Sequence, residues 1–408
     1  MSGSEKQDQR RGEEVRVTFT GTDRPGITAE LAAVLAEAGA TLLDVEQMVV
    51  QCRLNLNFLF TLPGGSERAA RLPVLKELLW KARELGLQVD YDLAPPATVS
   101  HKTPIWALTL LANPVDIKLI ASVARITAEN GFNIERIGRL SHRSLTSLEL
   151  LLSGQEGDSE RNLRSALVSL RAELSCDLAL QRETLTRRNK RLIVMDMDST
   201  LIQQEVIDEI AVELSVQDKV SAITARAMNG ELDFDASLRE RVRLLAGTPV
   251  SALEKVLARI ELTPGAEDLV RVLKRLGYRT AVISGGFIEI VEPIQKRLGL
   301  DYAFANRLEV KDGVLTGEVV GTIINRQRKA ELLESIAKLE RIELDQVIAV
   351  GDGANDLDML HRAGLGIAFN AKRTVQEQAA TAINQPSLTS ILYLLGLRDI
   401  DTLVGEDG

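Results

Sequence analysis

Two cysteines, Cys52 and Cys176, are all the thiol this 408-residue chain holds, and that scarcity excludes a disulfide framework. They also lack the spacing of a thiolate metal site, so both read as ordinary buried thiols in a reducing, cytoplasmic setting. Histidine is equally scarce: His101, His142 and His361 stand apart, leaving no His and Cys cluster for zinc. Concentrated positive charge is missing too. The net charge is -9 and Lys and Arg are scattered, so neither nucleic acid nor an anionic membrane is expected as a partner. No run of about 18 apolar residues occurs, which excludes a membrane-spanning helix. The opening stretch, Met1 to Glu14, lacks the apolar centre of a secretory signal, and residues 1–13 are expected to be a disordered tail.

What the chain does have is length for two or three cores and two segments that divide them. Asp92 to Ser100, with Pro95 and Pro96, reads as one linker; Arg182 to Lys190, polar and basic, reads as a solvated second one. The expected pieces are 14–95, 104–182 and 191–402. The first two repeat one order, strand, helix, strand, strand, helix, strand. In the first piece the strands are Val15 to Thr20, Thr41 to Val50, Leu54 to Thr61 and Leu87 to Leu93, with helices from Ile27 to Ala38 and Ser66 to Leu85. Apolar residues at Ile27, Leu31, Val34 and Leu35 mark one helical face, and Leu54, Leu56, Phe58 and Phe60 alternate with asparagines as a one-sided strand does. The second piece repeats this with Ile105 to Leu111, a helix from Ile117 to Asn130, strands near Phe132 to Leu140 and Thr146 to Leu152, a helix near Arg161 to Leu174, and a last strand from Asp177. Each piece predicts an α+β, ferredoxin-like sandwich. The first, with Thr22-Asp23-Arg24-Pro25-Gly26-Ile27 between strand and helix, resembles the ACT domain. That resemblance implies amino-acid binding and regulation at Asp23, Arg24, Pro25 and Gly26, with Asp23 capping the helix, Pro25 in its first turn, and Gly26 letting a ligand approach the backbone. The second piece has Ala112-Asn113-Pro114-Val115-Asp116 at that place, without Arg-Pro-Gly. A role for both modules in dimerisation alone is the alternative.

The third piece carries the chemistry. Three apolar runs, Arg191 to Met195, Thr280 to Ile283 and Val347 to Val350, each end in a polar stretch: Asp196-Met197-Asp198-Ser199-Thr200, Ser284-Gly285-Gly286 and Gly351-Asp352-Gly353-Ala354-Asn355-Asp356. Short continuous apolar runs alternating with helical patterns predict a doubly wound parallel α/β sheet, whose ligands bind beyond the carboxyl ends of the strands. Residues i and i+2 of an extended chain face the same way, so Asp196 and Asp198 serve one substrate, one attacking and the other handling the proton. Asp352 and Asp356 add carboxylates to the same volume, and such density calls for a divalent cation, with oxygen ligation favouring Mg²⁺.

These motifs, in this order, resemble the haloacid-dehalogenase-like phosphatases. The resemblance implies that Asp196 forms an aspartyl-phosphate and Asp198 acts as acid and base. It further implies metal ligation by Asp196, the Asp198 carbonyl and Asp352, with Asp356 in support, and Lys329 offsetting charge. The insert between Thr200 and Pro264 reads as helices, with Val206, Ile210 and Leu214 on one face, and is expected to form a cap at about 203–262. From about Arg191 to Ala380 the match sharpens to the phosphoserine phosphatase family. It implies substrate contacts at Glu205, Met228, Phe234 and Arg241, and phosphate contacts at Ser284, Gly285, Lys329 and Asn355. The expected reaction is Mg²⁺-dependent hydrolysis of O-phospho-L-serine to L-serine and phosphate, ending L-serine synthesis, in a homodimer regulated by L-serine. Phosphothreonine, phosphohomoserine or phosphoprotein as substrates, transfer to an acceptor alcohol, and a silent amino-acid sensor are the alternatives.

Overall fold

The computed structural model describes residues 14–63, 68–94, 103–141 and 146–398, and the chain divides near residue 101 into two units. The expected tail at 1–13, residues 95–100 of the first linker, His101, His142, the start of the helix expected from Ser66, and everything from 399 lie outside the described residues.

The first unit runs β1 (Glu14–Thr22), α1 (Ile27–Glu37), β2 (Thr41–Val50), β3 (Arg53–Thr61), α2 (Arg68–Glu84) and β4 (Gln88–Ala94). Its strands form an antiparallel sheet in the order β2-β3-β1-β4. Val17 and Phe19 of β1 and Leu56, Phe58 and Phe60 of β3 turn to the same core as Ile27, Leu31 and Leu78 of the helices, as period two in the strands and 3.6 in the helices require. Three expectations fail here. Asp23 does not cap α1: Gly26 holds the capping position at φ 96°, with no side-chain cap. Glycine is suited to this left-handed backbone, and Pro25 accordingly precedes the helix. Cys52 is exposed, because it sits with Gln51 at the tip of the β2–β3 hairpin, both at positive φ.

The second unit opens with β5 (Ile105–Leu111), α3 (Ile117–Glu129), β6 (Asn133–Arg139), β7 (Ser147–Ser153), α4 (Asp158–Leu174) and β8 (Asp177–Arg182), again antiparallel, in the order β6-β7-β5-β8. Helix α4 starts three residues before the expected Arg161, with Asp158 and Glu160 in its first turn, where acids suit the helix dipole. The same unit continues into a seven-stranded sheet. Its elements are β9 (Leu192–Met195), cap helices α5 (Val206–Glu213), α6 (Gln217–Met228), α7 (Phe234–Arg243) and α8 (Ser251–Leu257), then α9 (Ala266–Arg275), β10 (Arg279–Phe287), α10 (Ile288–Leu298), β11 (Tyr302–Lys311) and β12 (Val314–Val320). There follow α11 (Arg326–Leu339), β13 (Val347–Gly351), α12 (Leu357–Arg362), β14 (Leu365–Phe369), α13 (Arg373–Gln378), β15 (Thr381–Ile383) and α14 (Ser390–Leu394).

The sheet order is β12-β11-β10-β9-β13-β14-β15, parallel throughout except for the β11–β12 hairpin. Successive residues of β9 enter opposite cores: Ile193 and Met195 join one, Leu192 and Val194 the other. Both faces are covered, which is why the run is apolar without alternation. The order reverses at β9, so the crevice between the ends of β9, β10 and β13 is the topological switch point.

The segment 182–190 is not the solvated linker its composition suggests. Arg187 and Lys190 are 2% and 6% exposed; Arg187 pairs with Glu149 at 2.7 Å and Glu183 at 2.6 Å. Asp177 at the start of β8 accepts hydrogen bonds from the Asn384 backbone and side chain and from Gln385, and Leu111 and Ala179 share the core of the parallel sheet. The second module and the parallel-sheet fold are thereby one packed body.

Candidate active site

Asp196 follows the last residue of β9, and its backbone N–H donates to the Val350 carbonyl of β13, extending the sheet by one rung. Both Asp196 and Asp198 are extended, at φ -69° and -62°, before Ser199 turns the chain at φ 53°. Met197 between them is buried in the core, so the two carboxylates point out together, as the i, i+2 spacing predicts. The Oδ1 of Asp196 accepts from the Met197 N–H and from the Lys329 ammonium, each at 2.8 Å; its Oδ2 accepts no hydrogen bond from the described residues.

Lys329 lies in the first turn of α11, fully buried, and also donates to Asp356 at 2.7 Å. Asp356 takes a second bond from the Gly353 N–H at 3.0 Å. One carboxylate oxygen from each of Asp196, Asp352 and Asp356 lies within 4.8 Å of the other two. Asp198 accepts from the Val206 N–H at 3.1 Å, which anchors it to the start of the cap.

Burial, then the nearby Asp356, hold the Asp196 carboxyl well above the usual carboxylate range, against the pull of Lys329. Asp198 is pushed up to about 7 by burial and by Glu205, and Asp352 to about 7 by burial, Asp356 and Glu205. Burial disfavours the Lys329 ammonium, but Asp196 and Asp356 outweigh it and raise that group. Carboxylates this close ionise together only when further positive charge joins them.

The loop after β10 closes the other side. Ser284 is fully buried and its Oγ accepts from the Gly286 N–H at 2.8 Å. A Cβ on Gly285 would stand 3.1 Å from the Phe234 ring, and one on Gly286 would stand 3.1 Å from the Asp198 carboxylate, so glycine is what admits cap and carboxylate this near. Arg241, half-buried on α7, interacts electrostatically with Asp208, Glu205 and Asp198; burial lowers it below the usual guanidinium value. Its hydrogen bond goes to Ser237 of its own helix at 3.3 Å, and among the described residues it forms no ion pair. Exposed Glu205 accepts from the Ser199 hydroxyl at 2.8 Å. Asn355 lies in the turn after Asp352. Met228 ends α6; its side chain lies outside the described residues. Asp23, Arg24, Pro25 and Gly26 belong to the first unit, and the Asp23 N–H donates to the Cys52 carbonyl at 2.9 Å.

Several residues to which the sequence assigned no role complete the site. The Thr200 hydroxyl approaches Asp352 at 3.4 Å. Asn306 on β11 is buried and bridges two backbones, donating to the Gly285 carbonyl and accepting from the Ile324 N–H, each at 2.8 Å. Asn325 caps α11 and donates to Asp235 of the cap at 3.1 Å. A polar residue in the strand after Ala303, Phe304 and Ala305 is the sequence signal for Asn306; nothing in the sequence pairs Asn325 with Asp235.

Residues 193–361 match the model of the haloacid dehalogenase-like hydrolases, and residues 13–92 and 105–181 each match an ACT domain. The chain is 46% identical over 382 residues to a phosphoserine phosphatase of Streptomyces coelicolor, covering 93% of this chain and 92% of that one. The chain belongs to the phosphoserine phosphatase family. It is likewise 42% identical to phosphoserine phosphatase SerB2 of Mycobacterium tuberculosis, over 94% of this chain and 93% of that one. Among solved structures, a HAD family hydrolase of Salmonella enterica serovar Typhi superposes with a TM-score of 0.63 at 33% identity, covering 71% of this chain and 98% of that one. The protein is a phosphatase of this family with two ACT domains before a parallel-sheet catalytic fold. No described helix is long and apolar enough to cross a membrane.

Proposed function

We propose that the protein hydrolyses O-phospho-L-serine to L-serine and phosphate with Mg²⁺, as the last step of L-serine synthesis in the cytoplasm. The observation that carries this reading is a pair of groups, each within electrostatic reach of Asp198: the free Oδ2 of Asp196, on a carboxylate fixed by Lys329 at 2.8 Å, and the guanidinium of Arg241, which forms no ion pair among the described residues. One suits a phosphorus atom and the other a ligand carboxylate.

In this reading Asp196 attacks phosphorus, the bond to the serine oxygen breaks, and Asp198 gives its proton to that oxygen. Water then loses a proton to Asp198 and attacks the aspartyl-phosphate, releasing phosphate and restoring both carboxyl groups. Ser284, the Gly285 and Asn355 region and Lys329 hold the phosphate oxygens. Arg241 and Glu205 meet the α-carboxylate and α-ammonium, while Phe234 and Met228 exclude water from the bond being broken. The three clustered carboxylate oxygens of Asp196, Asp352 and Asp356, with the Asp198 carbonyl, fit a hard divalent cation. Bound there, Mg²⁺ would neutralise charge on the phosphoryl oxygens.

Two regulatory features belong to the same proposal. L-serine binds the first ACT domain at Asp23 to Gly26, and the chain dimerises through that domain, where Leu42, Leu43, Val45, Met48, Val49 and Val50 of edge strand β2 are all exposed. An apolar unpaired strand edge invites a second copy.

The deciding experiment is phosphate release by the purified full chain from O-phospho-L-serine, O-phospho-L-threonine and an aryl phosphate, with and without Mg²⁺. A Mg²⁺-dependent preference of a hundredfold or more for phosphoserine is expected. Preference for phosphothreonine or the aryl phosphate would overturn the substrate and leave the chemistry; no turnover on any of them would overturn both.

A further inference from the structure

A cavity of about 660 Å³ lies away from the reaction site, between α4 and β8 of the second ACT domain, the segment 182–190, and the catalytic fold around Asp345 and His361. Lys190 and Asp345 precede β9 and β13, so the cavity opens at the starts of the strands whose far ends carry Asp196 and Asp352. The volume is that of a small-molecule site. Its walls hold Arg164, Arg171, Arg182, Arg187 and Lys190 against two acids, Asp345 and Glu377.

Most of these charges are already answered. Arg164 pairs with Glu160, Arg182 with Glu156, Arg187 with Glu149 and Glu183, and Glu377 with Arg373. Two donors remain, with one enclosed N–H beside them. The Lys190 ammonium, 6% exposed, donates to the Asp345 backbone carbonyl and forms no ion pair among the described residues. The Nε of Arg187, on a side chain 1% exposed, has no partner. Arg171, half-buried, has neither hydrogen bond nor ion pair among the described residues. The exposed Asp345 carboxylate raises Lys190, yet burial and the neighbouring Arg187 prevail and push it down to about 8. A buried ammonium facing a neutral carbonyl is costly unless an anion joins it.

We infer that this cavity binds a phosphate group through Lys190 and Arg171, with the enclosed Arg187 adding positive charge beside them, as free phosphate or as the phosphomonoester of a small metabolite. The donors are separate N–H groups from different elements, which suits the several oxygens of a phosphate. A flat carboxylate would call for a guanidinium fork, and the fork of Arg187 is taken by Glu149 and Glu183. Leu167, Val168 and Leu360 leave apolar wall for an organic remainder.

The test is calorimetric titration of the full chain with inorganic phosphate, Mg²⁺ removed by chelation, for the wild type, Lys190→Gln and Arg171→Gln. Turnover of phosphoserine should be unchanged in both variants, since neither residue touches the reaction site. One phosphate-binding event present in the wild type and weakened tenfold or more in both variants is expected. Equal stoichiometry and affinity in all three proteins would overturn the site. Thermal unfolding reports whether Lys190→Gln folds; if it does not, Arg171→Gln, on the surface of α4, decides alone. Titration with glycerol 3-phosphate separates the sources: binding tenfold tighter than phosphate assigns a phosphomonoester, and equal binding assigns free phosphate. Citrate or L-serine binding lost in the variants, with phosphate binding unaffected, would replace phosphate by a carboxylate and refute the inference.

Discussion

Arg241 and Asn306 contribute to the same site at opposite ends of the proposed substrate, and the difference is measurable. Arg241 forms no ion pair among the described residues and lies near Glu205 and Asp198, and the proposed function has it meet the carboxylate of the substrate. Two charge-assisted hydrogen bonds lost in Arg241→Ala amount to about 3 kcal/mol, so kcat/KM for O-phospho-L-serine should fall about a hundredfold. An aryl phosphate, lacking the carboxylate, should lose less than about threefold. Equal losses would mean that Arg241 shapes the cap and does not read the substrate. Asn306 instead holds the backbone of Gly285 and Ile324 at 2.8 Å each, behind the phosphate end that every substrate shares. Asn306→Ala leaves both backbone groups unpaired at about 1–3 kcal/mol, and kcat should fall about tenfold for phosphoserine and aryl phosphate alike. A loss confined to phosphoserine would contradict that role. That the aspartates gather in one place was legible from their types and spacing, and that Lys329 joins them only from the family resemblance. Asn306 was not, because polarity inside a strand does not say which carbonyl it holds.

At the scale of elements, β9, β10 and β13 were legible from four- and five-residue apolar runs, since a strand covered on both faces has no room for alternation. The start of α1 at Ile27 was read correctly but its cap was not: Asp23 has the chemistry of a cap, yet Gly26, at positive φ, holds the capping position. Segment 182–190 misled for a related reason. Its charges match those of a solvated linker, and the partner that buries Arg187 is Glu149, 38 positions away, a separation no local pattern reports. The join that follows is tight. Asp177 receives three hydrogen bonds from Asn384 and Gln385 while 3% exposed. Asp177→Ala should therefore lower stability by about 2–4 kcal/mol, through donors left buried without acceptors. Denaturant unfolding of the full chain measures this, and a change within about 0.5 kcal/mol, the range of ordinary surface substitutions, would show that β8 and the segment after β15 are held by packing alone.

The whole molecule divides at the first of the two linkers read from the sequence and not at the second: one unit is the first ACT domain, and the other is everything after it. The second ACT domain lends Leu111 and Ala179 to the catalytic core and Glu149 to the buried Arg187, so its removal strips apolar partners and strands a buried cation. A chain of residues 102–408 should keep the turnover of the full protein, whereas residues 186–408 should unfold at markedly lower temperature or fail to fold. The same cut tests regulation. A ligand shifts an equilibrium only where it binds two states unequally, and the proposed L-serine contacts, Asp23 to Gly26, lie wholly in the removed unit. Inhibition by L-serine should be present in the full chain and absent from residues 102–408, and light scattering should show dimer giving way to monomer as strand β2 is lost. Inhibition unchanged by the cut would place the serine site within the second unit.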